Sequence, residues 1–335
     1  MYKRVNECRI CKNSNLVSIL DLGEQYFTGI YPKSPEDSVP IGPLELVKCD
    51  VCHLVQLAHD FDLSLLYGKT YGYRSGLNQS MVRHLRSKVV RILELVDLEP
   101  EDLVVDIGSN DSTLLQGYPK QGLNLVGIDP LAGKFSEYYP DHVQWIPDFF
   151  SVKALETKFG DRKAKVITSI AMFYDLERPE TFMEEIKSTL TDDGVWVFEQ
   201  SYLPFMLDSV SYDTICHEHL EYYSLYQIKY MTDRVGLKII DIEFNDTNGG
   251  SFSVMVAKKN APYEEATERI NSILADEEKR GLKTSAPYQQ FVTQVQQNRE
   301  RIQEFFSSAQ QAGKTIFGYG ASTKGNVLLQ YCGIT

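Results

Sequence analysis

Between Asp102 and Lys259 short apolar runs alternate with segments whose apolar residues recur every three or four positions. The runs DLVVDIG (102–108), LNLVGID (123–129), VQWIPDFF (143–150), AKVITSIAMF (164–173) and GVWVFEQ (194–200) predict buried strands. STLLQGY predicts a helix start, and RPETFMEEIKSTL and SLYQIKYMTDRVG predict helices between strands. LKIIDIEFND and GSFSVMVAKK predict a closing antiparallel pair. Strands joined by helical crossovers make a mostly parallel, doubly wound sheet, here with an antiparallel end.

The flanks differ from this middle. The first 65 or so residues are short pieces broken by prolines at 32, 35, 40 and 43, which rule out a long helix. Asn78 to about Leu98 predicts a helix, with Met81, Leu85, Val89, Ile92 and Val96 on one face. Beyond Asn260 a charged, Gln-rich stretch predicts two long helices, and KTIFGYGASTKGNVLLQYCGIT predicts a strand, a Gly-containing turn and a helix. That last unit either docks on the preceding helices or begins a larger C-terminal domain. The expected division is 1–66, 67–260 and 261–335.

At 335 residues, 43% hydrophobic and 24% charged, the chain is of ordinary globular composition. A net charge of −12 and no cluster of five basic residues exclude nucleic acid as an expected partner. No apolar stretch reaches the roughly 18 residues of a membrane span, and the N-terminus has no leader pattern, so a cytoplasmic protein is expected.

Four of the six cysteines form two CxxC pairs, Cys8/Cys11 and Cys49/Cys52. Two such knuckles supply four thiolates for a closed structural Zn²⁺ site. Two disulfides would need an oxidising compartment, and a redox CxxC normally follows a strand and opens a helix. The segment VVDIGSNDSTLL lacks GxGxxG, so its turn suits a cofactor without a pyrophosphate, such as S-adenosylmethionine. Asp106, Gly108, Ser109 and Asn110 would line that cofactor. Asp129 with Pro130 ends the second strand, where an acid can hold ribose hydroxyls. Asp148 with Phe149 ends the third strand beside an adenine, and Ala171 ends the fourth.

The ordered set CxxC, CxxC, YGYRSGLNQSMVRHL, VVDIGSND, GIDP, YDTICHEHLEYYSL, NGGSF and GYGASTKGN resembles the zinc-containing C-methyltransferases, which act on nucleotide-linked 4-keto-deoxyhexoses. The resemblance runs from Cys8 to the end of the sequence. It implies a zinc-domain lid, a central Rossmann-like S-adenosylmethionine domain and a C-terminal Rossmann-like part that helps hold the sugar nucleotide. That last part is expected to be only partly represented, since the sequence stops soon after GYGASTKGN. The α/β fold class follows from both the pattern and the resemblance.

The resemblance also implies His219 as the base that removes a proton next to a ketone. Glu218 and His217 would orient it or bind sugar hydroxyls, and Tyr73 would close over the substrate. Where the family has Tyr-His-Glu-His and HGGS, this chain has Cys216 and Asn248 in place of the tyrosine and the first histidine. Read from residue types alone, the histidine pair could also ligate a metal or pack as core, and His84 could line the cleft. Gly318, Gly320 and Lys324 could cradle a phosphate or simply form a tight turn. The expected partner is a nucleotide sugar or another small ketone, and the expected state a monomer or weak homodimer.

Overall fold

A computed structural model describes every residue except 1, 33, 35, 68–70, 120–121, 319–321 and 335. Its N-terminal part holds β1 (Tyr2–Arg4), β2 (Leu16–Tyr26), β3 (Ile41–Cys49), β4 (Val55–Leu57), β5 (His59–Phe61) and the single turn α1 (Leu63–Leu66). Strands β2, β3 and β4 form one antiparallel sheet, and β1 pairs with β5. Pro43 stands inside β3 beside a register irregularity, which is where a residue without an N–H is tolerated. A linking helix, α2 (Gln79–Leu95), starts where the Asn78 side chain accepts from Ser80 N, and it buries Leu85, Val89 and Ile92.

The central strands are β6 (Leu103–Ile107), β7 (Asn124–Ile128), β8 (Val143–Ile146), β9 (Ala164–Ile170) and β10 (Leu190–Ser201). Helices α3 (Val152–Phe159) and α4 (Pro179–Thr189) lie between them, and α5 (Leu203–Ser209) follows. A two-residue strand, β11 (Glu221–Tyr222), precedes α6 (Leu225–Val235), β12 (Leu237–Asn245) and β13 (Ser251–Lys258). The large sheet runs β12-β13-β10-β9-β6-β7-β8. β6 to β10 are parallel, and β13 inserts antiparallel between β10 and β12. This is a mixed, seven-stranded Rossmann-like sheet, with the antiparallel end that the pattern predicted. All five β6 residues are buried, as expected for a strand covered on both faces.

Two predicted elements are corrected. STLLQGY does not open an α-helix: after β6 the chain makes turns and a short 3-10 helix at Leu115–Gly117. Positive φ at Gly108, Asn110 and Ser112 breaks the repeat that a helix would need. The strand expected at the start of KTIFGYG is absent among the described residues, where 314–318 are irregular. The two long helices α7 (Thr267–Lys279) and α8 (Ala286–Gln311) are present, followed by α9 (Thr323–Cys332). With no sheet to join, α9 docks on β2 through Gln330, which accepts from Tyr26 N at 2.7 Å. It also docks on α8, where Gln303 Nε2 donates to Cys332 O at 2.9 Å.

The decisive topological feature is β11. It stands outside the large sheet and pairs antiparallel with β4 of the N-terminal sheet, Glu221 opposite Gln56 and Tyr222 opposite Val55. The residues just before it are thereby pinned between the two sheets. Leu57 N donates to Leu220 O, and Leu220 N donates to Tyr174 O, each at 2.8 Å.

Candidate active site and metal centre

The sulfurs of Cys8, Cys11, Cys49 and Cys52 all lie within 4.8 Å of one another, and none is in a disulfide. The two knuckles repeat the same backbone turn. Lys12 N donates to Cys8 O and His53 N to Cys49 O, while Cys8 N and Cys49 N donate to Asn13 O and Leu54 O. Lys12 and His53 both take positive φ. Four ionised sulfurs this close need a cation between them, and their number and type fit tetrahedral Zn²⁺. His53 is not needed to complete the shell.

The carboxyl ends of β6, β7, β8 and β9 lie side by side, which brings Asp106, Gly108, Asp129, Asp148 and Ala171 to one edge of the sheet. Gly108 has φ +72°, and a Cβ there would press on Met172 at 3.3 Å, so the turn needs glycine. Asp129 accepts from Asn110 N at 2.9 Å and Leu131 N at 2.7 Å, which ties the β6 turn to the β7 end. Ser109 Oγ pairs with Tyr139 OH, and a side chain at Gly127 would collide with both. Asp106 is buried and accepts from Thr168 Oγ1 at 2.5 Å. Burial, with Asp129 nearby, pushes its carboxyl up to about 7. Two buried acids without a cation suit a cationic ligand such as S-adenosylmethionine, whose charge would restore the ionised form of Asp106. Asp148 and Phe149 are exposed beyond β8, open to a ring stacked there.

Asn110 and Asp111 do something the sequence did not reveal. Asn110 Oδ1 accepts from Ser75 N, and its Nδ2 donates to Tyr73 O. Asp111 accepts from Gly76 N. These bonds clamp the YGYRSG segment over the β6 turn. Tyr73 itself is 48% exposed.

The three residues of the HEH stretch have three environments. His217 is fully enclosed, stacked on Phe27 at 4.6 Å and edge-on to Phe61 at 4.7 Å. Thr28 N donates to its Nδ1, so Nε2 carries the hydrogen and donates to Gly42 O at 3.3 Å. Burial pushes its pKa down to about 4. His217 thus docks the stretch into the N-terminal part, with both ring nitrogens committed there. Glu218, also buried, accepts from Thr28 Oγ1 at 2.8 Å, and burial raises its pKa. Gly29 leaves the space for this carboxylate, because a Cβ there would run into Glu218 Oε1.

His219 is different. Its Nδ1–H donates to Thr214 O at 3.0 Å, which leaves the lone pair on Nε2. Among the described residues nothing hydrogen-bonds that Nε2. Its ring lies 4.3 Å from Tyr174, and burial together with Lys324 pushes its pKa down to about 4, so it is neutral at pH 7. With His217 committed to Thr28 and Gly42, the pair offers no metal site, and among the described residues the four cysteines are the metal-like cluster.

Four further residues gather here, of which only Tyr71, in YGYRSG, lies in a motif. Tyr67 OH donates to Asp175 at 2.5 Å, Tyr174 faces His219, and Tyr71 lies among Glu218, Asp175 and Asp129. They follow α1 or β9, and only the fold brings them to residues 217–219. His84 meets Glu199 at 2.5 Å, with Lys88 and Asn245 on the same carboxylate. Lys324 donates to Asn248 O, joining the NGGS turn to α9 near His219. Gly318 is irregular, and Gly320 lies outside the described residues.

Three family models match the chain in succession: "Putative zinc binding domain" over residues 8–67, "Methyltransferase domain" over 78–242 and "C-methyltransferase C-terminal domain" over 246–335. A curated relative, the C-methyltransferase NovU of Streptomyces niveus, is 29% identical over 335 residues, covering 98% of this chain and 79% of the relative. Among solved structures, a Haloferax volcanii methyltransferase complex with the activator Trm112 has 16% identity and a TM-score of 0.44, covering 55% of this chain and 94% of that one. An S-adenosylmethionine-dependent methyltransferase from Clostridium acetobutylicum has 12% identity and a TM-score of 0.43, covering 53% and 92%.

Proposed function

As the chain belongs to the S-adenosylmethionine-dependent C-methyltransferases with an N-terminal zinc-binding domain, we propose that it methylates the carbon next to a ketone in a small molecule, with His219 as the base. The substrate class is a nucleotide-linked 4-keto-6-deoxyhexose methylated at C3. Support for this substrate comes from the motif set shared with the sugar enzymes. In this reading residues 1–66 form the lid, 67–260 the methyl-transfer domain and 261–335 a substrate-side support.

The observation that carries the reading is the fixed tautomer of His219. Thr214 O holds Nδ1–H, so Nε2 is a free lone pair on a neutral ring. Such a group can accept an alpha proton from a ketone and leave an enolate. S-adenosylmethionine, when bound, supplies an electrophilic methyl group. Asp106, Gly108, Asp129, Pro130, Asp148, Phe149 and Ala171 would hold it at the strand ends. Ser109 and Asn110 would shape the turn, with Asn110 also securing the segment that carries Tyr73. Glu218, held by Thr28, would place the loop or meet a sugar hydroxyl. The Zn²⁺ at the four cysteines would keep the N-terminal sheet, and through it β11, in place.

Incubation with methyl-labelled S-adenosylmethionine and a panel of nucleotide-linked 4-keto-6-deoxyhexoses tests this. Label on the carbon beside the ketone is the expected result. Label on oxygen or nitrogen, or no transfer to any ketone of the panel, would sink it.

A further inference from the structure

Asp175 ends the short 3-10 helix Phe173–Asp175, which runs from the cofactor turn to the HEH stretch. At one end of this path Met172 packs on Gly108, and at the other Tyr174 O accepts from Leu220 N. Asp175 is only 7% exposed, and Glu218 only 6%. Burial, and then the charge of Glu218, hold the carboxyl of Asp175 well above the usual carboxylate range, and burial raises that of Glu218 as well. The titratable groups around Asp175 are Tyr67, Tyr71, Tyr174, Cys216, Glu218, Glu221 and Tyr222. Among these described neighbours are phenols, a thiol and acids, but no cation. Two like charges in such a site do not both persist, so the pair keeps a proton.

Hydrogen bonds decide which acid keeps it. Glu218 accepts from Thr28 Oγ1, and the neighbouring Cys216 thiol also favours its charged form, so the negative charge is better held there. Asp175 Oδ2 accepts from Tyr67 OH, which makes Oδ2 the carbonyl-like oxygen. The proton then sits on Oδ1, and Oδ1 has no hydrogen-bond partner among the described residues. A buried O–H without an acceptor is costly unless a ligand supplies one.

We propose that Asp175 is a catalytic residue that stays protonated and donates from Oδ1 to the substrate's keto oxygen as it becomes an enolate. This rests on the enolate reading of the site. As His219 Nε2 takes the alpha proton, the C–H electrons form the C=C bond and the carbonyl pair moves to oxygen, against the Asp175 O–H. When the enolate carbon then bonds the methyl carbon, the C–S bond breaks and its pair stays on sulfur. The carbonyl reforms, and Asp175 keeps its proton throughout.

The test compares Asp175→Ala and Asp175→Asn with wild type and His219→Ala. Readouts are exchange of the ketone alpha hydrogen in deuterated water with S-adenosylhomocysteine bound, and kcat with the sugar panel. Wild-type exchange that His219→Ala abolishes upholds the enolate reading; its absence in the wild type breaks that reading instead. Given wild-type exchange, Asp175→Ala is expected to slow it on the order of 100-fold with unchanged S-adenosylmethionine affinity and zinc content. Asp175→Asn, which still has a donor, is expected to recover most of the rate. Near-wild-type exchange in Asp175→Ala, or no recovery by Asp175→Asn, overturns the proposal. An infrared difference between wild type and Asp175→Asn at pH 7 needs no substrate: a protonated-carboxyl band is expected, and its absence overturns the proposal.

Discussion

The strand tips proposed to hold the cofactor and the HEH stretch are built in opposite ways. Asp106, Gly108, Asp129 and Asp148 sit at the tips of neighbouring parallel strands, so each position follows from its own strand. The HEH stretch has no such frame of its own. His217 is held by Phe27, Thr28, Gly42 and Phe61 of the N-terminal part, and β11 is a strand only because β4 accepts it. One end is supported locally; the other depends on a zinc-stapled sheet whose residues are far away in sequence. Removing supports one at a time separates the two.

Removing zinc has the largest expected effect. Structural zinc contributes about 10–16 kcal/mol in small zinc domains, and here β4 begins three residues after Cys52. Chelation, or Cys8→Ser, is expected to abolish methyl transfer while calorimetry still detects S-adenosylmethionine binding to the central sheet. Loss of cofactor binding together with zinc would show that the two ends are not independently supported.

His219→Ala comes next. A positioned base contributes roughly 10²–10⁴-fold, so kcat is expected to fall by that factor with cofactor affinity unchanged. A smaller loss, with alpha-hydrogen exchange intact, would move the base role elsewhere.

The sequence displayed the two ends unequally for the same physical reason. Strand tips follow from period and length, so Asp106, Asp129 and Asp148 could be placed by counting residues. CxxC spacing likewise encodes its own geometry, and the four thiols do meet. By contrast, HEH read as one motif, whereas burial splits it: His217 packs in a core and His219 keeps a free nitrogen. That division depends on Phe27 and Phe61, about 190 and 156 positions upstream, and no local pattern carries contacts of that range. Asp175 and Tyr67 escaped for the same reason. The helix predicted after β6 failed because periodicity does not report positive φ at Asn110 and Ser112.

His217→Phe sharpens the split within the motif. A phenyl ring fits between Phe27 and Phe61 but leaves Thr28 N and Gly42 O without their partner, at a cost of about 1–3 kcal/mol. Denaturant unfolding should show that loss, with kcat close to wild type in the folded protein. A collapse of kcat with unchanged stability would make His217 part of the chemistry.

The smallest effect is in pH, where the two ends have opposite signs. Burial lowers the folded pKa of His217 from 6.5 to about 4, so the unfolded chain binds more protons between those values. Its contribution is complete above pH 6.5 and is lost as pH falls towards 4, on the order of 3 kcal/mol in all. Asp106 is raised from 3.8 to about 7, so its contribution is complete below 3.8 and is lost as pH rises through 7. Between pH 4 and 6.5 the two slopes oppose each other. Asp106→Asn should therefore make the pH slope of stability more positive in that window, and His217→Phe should make it more negative, both read from denaturation midpoints. A cationic cofactor needs Asp106 ionised, so S-adenosylmethionine affinity in the wild type should weaken by roughly tenfold per unit below about pH 7. Asp106→Asn should flatten that dependence. An unchanged slope in the variant would mean that the cofactor's charge is met by another group, and that the cofactor end is less local than its strands make it.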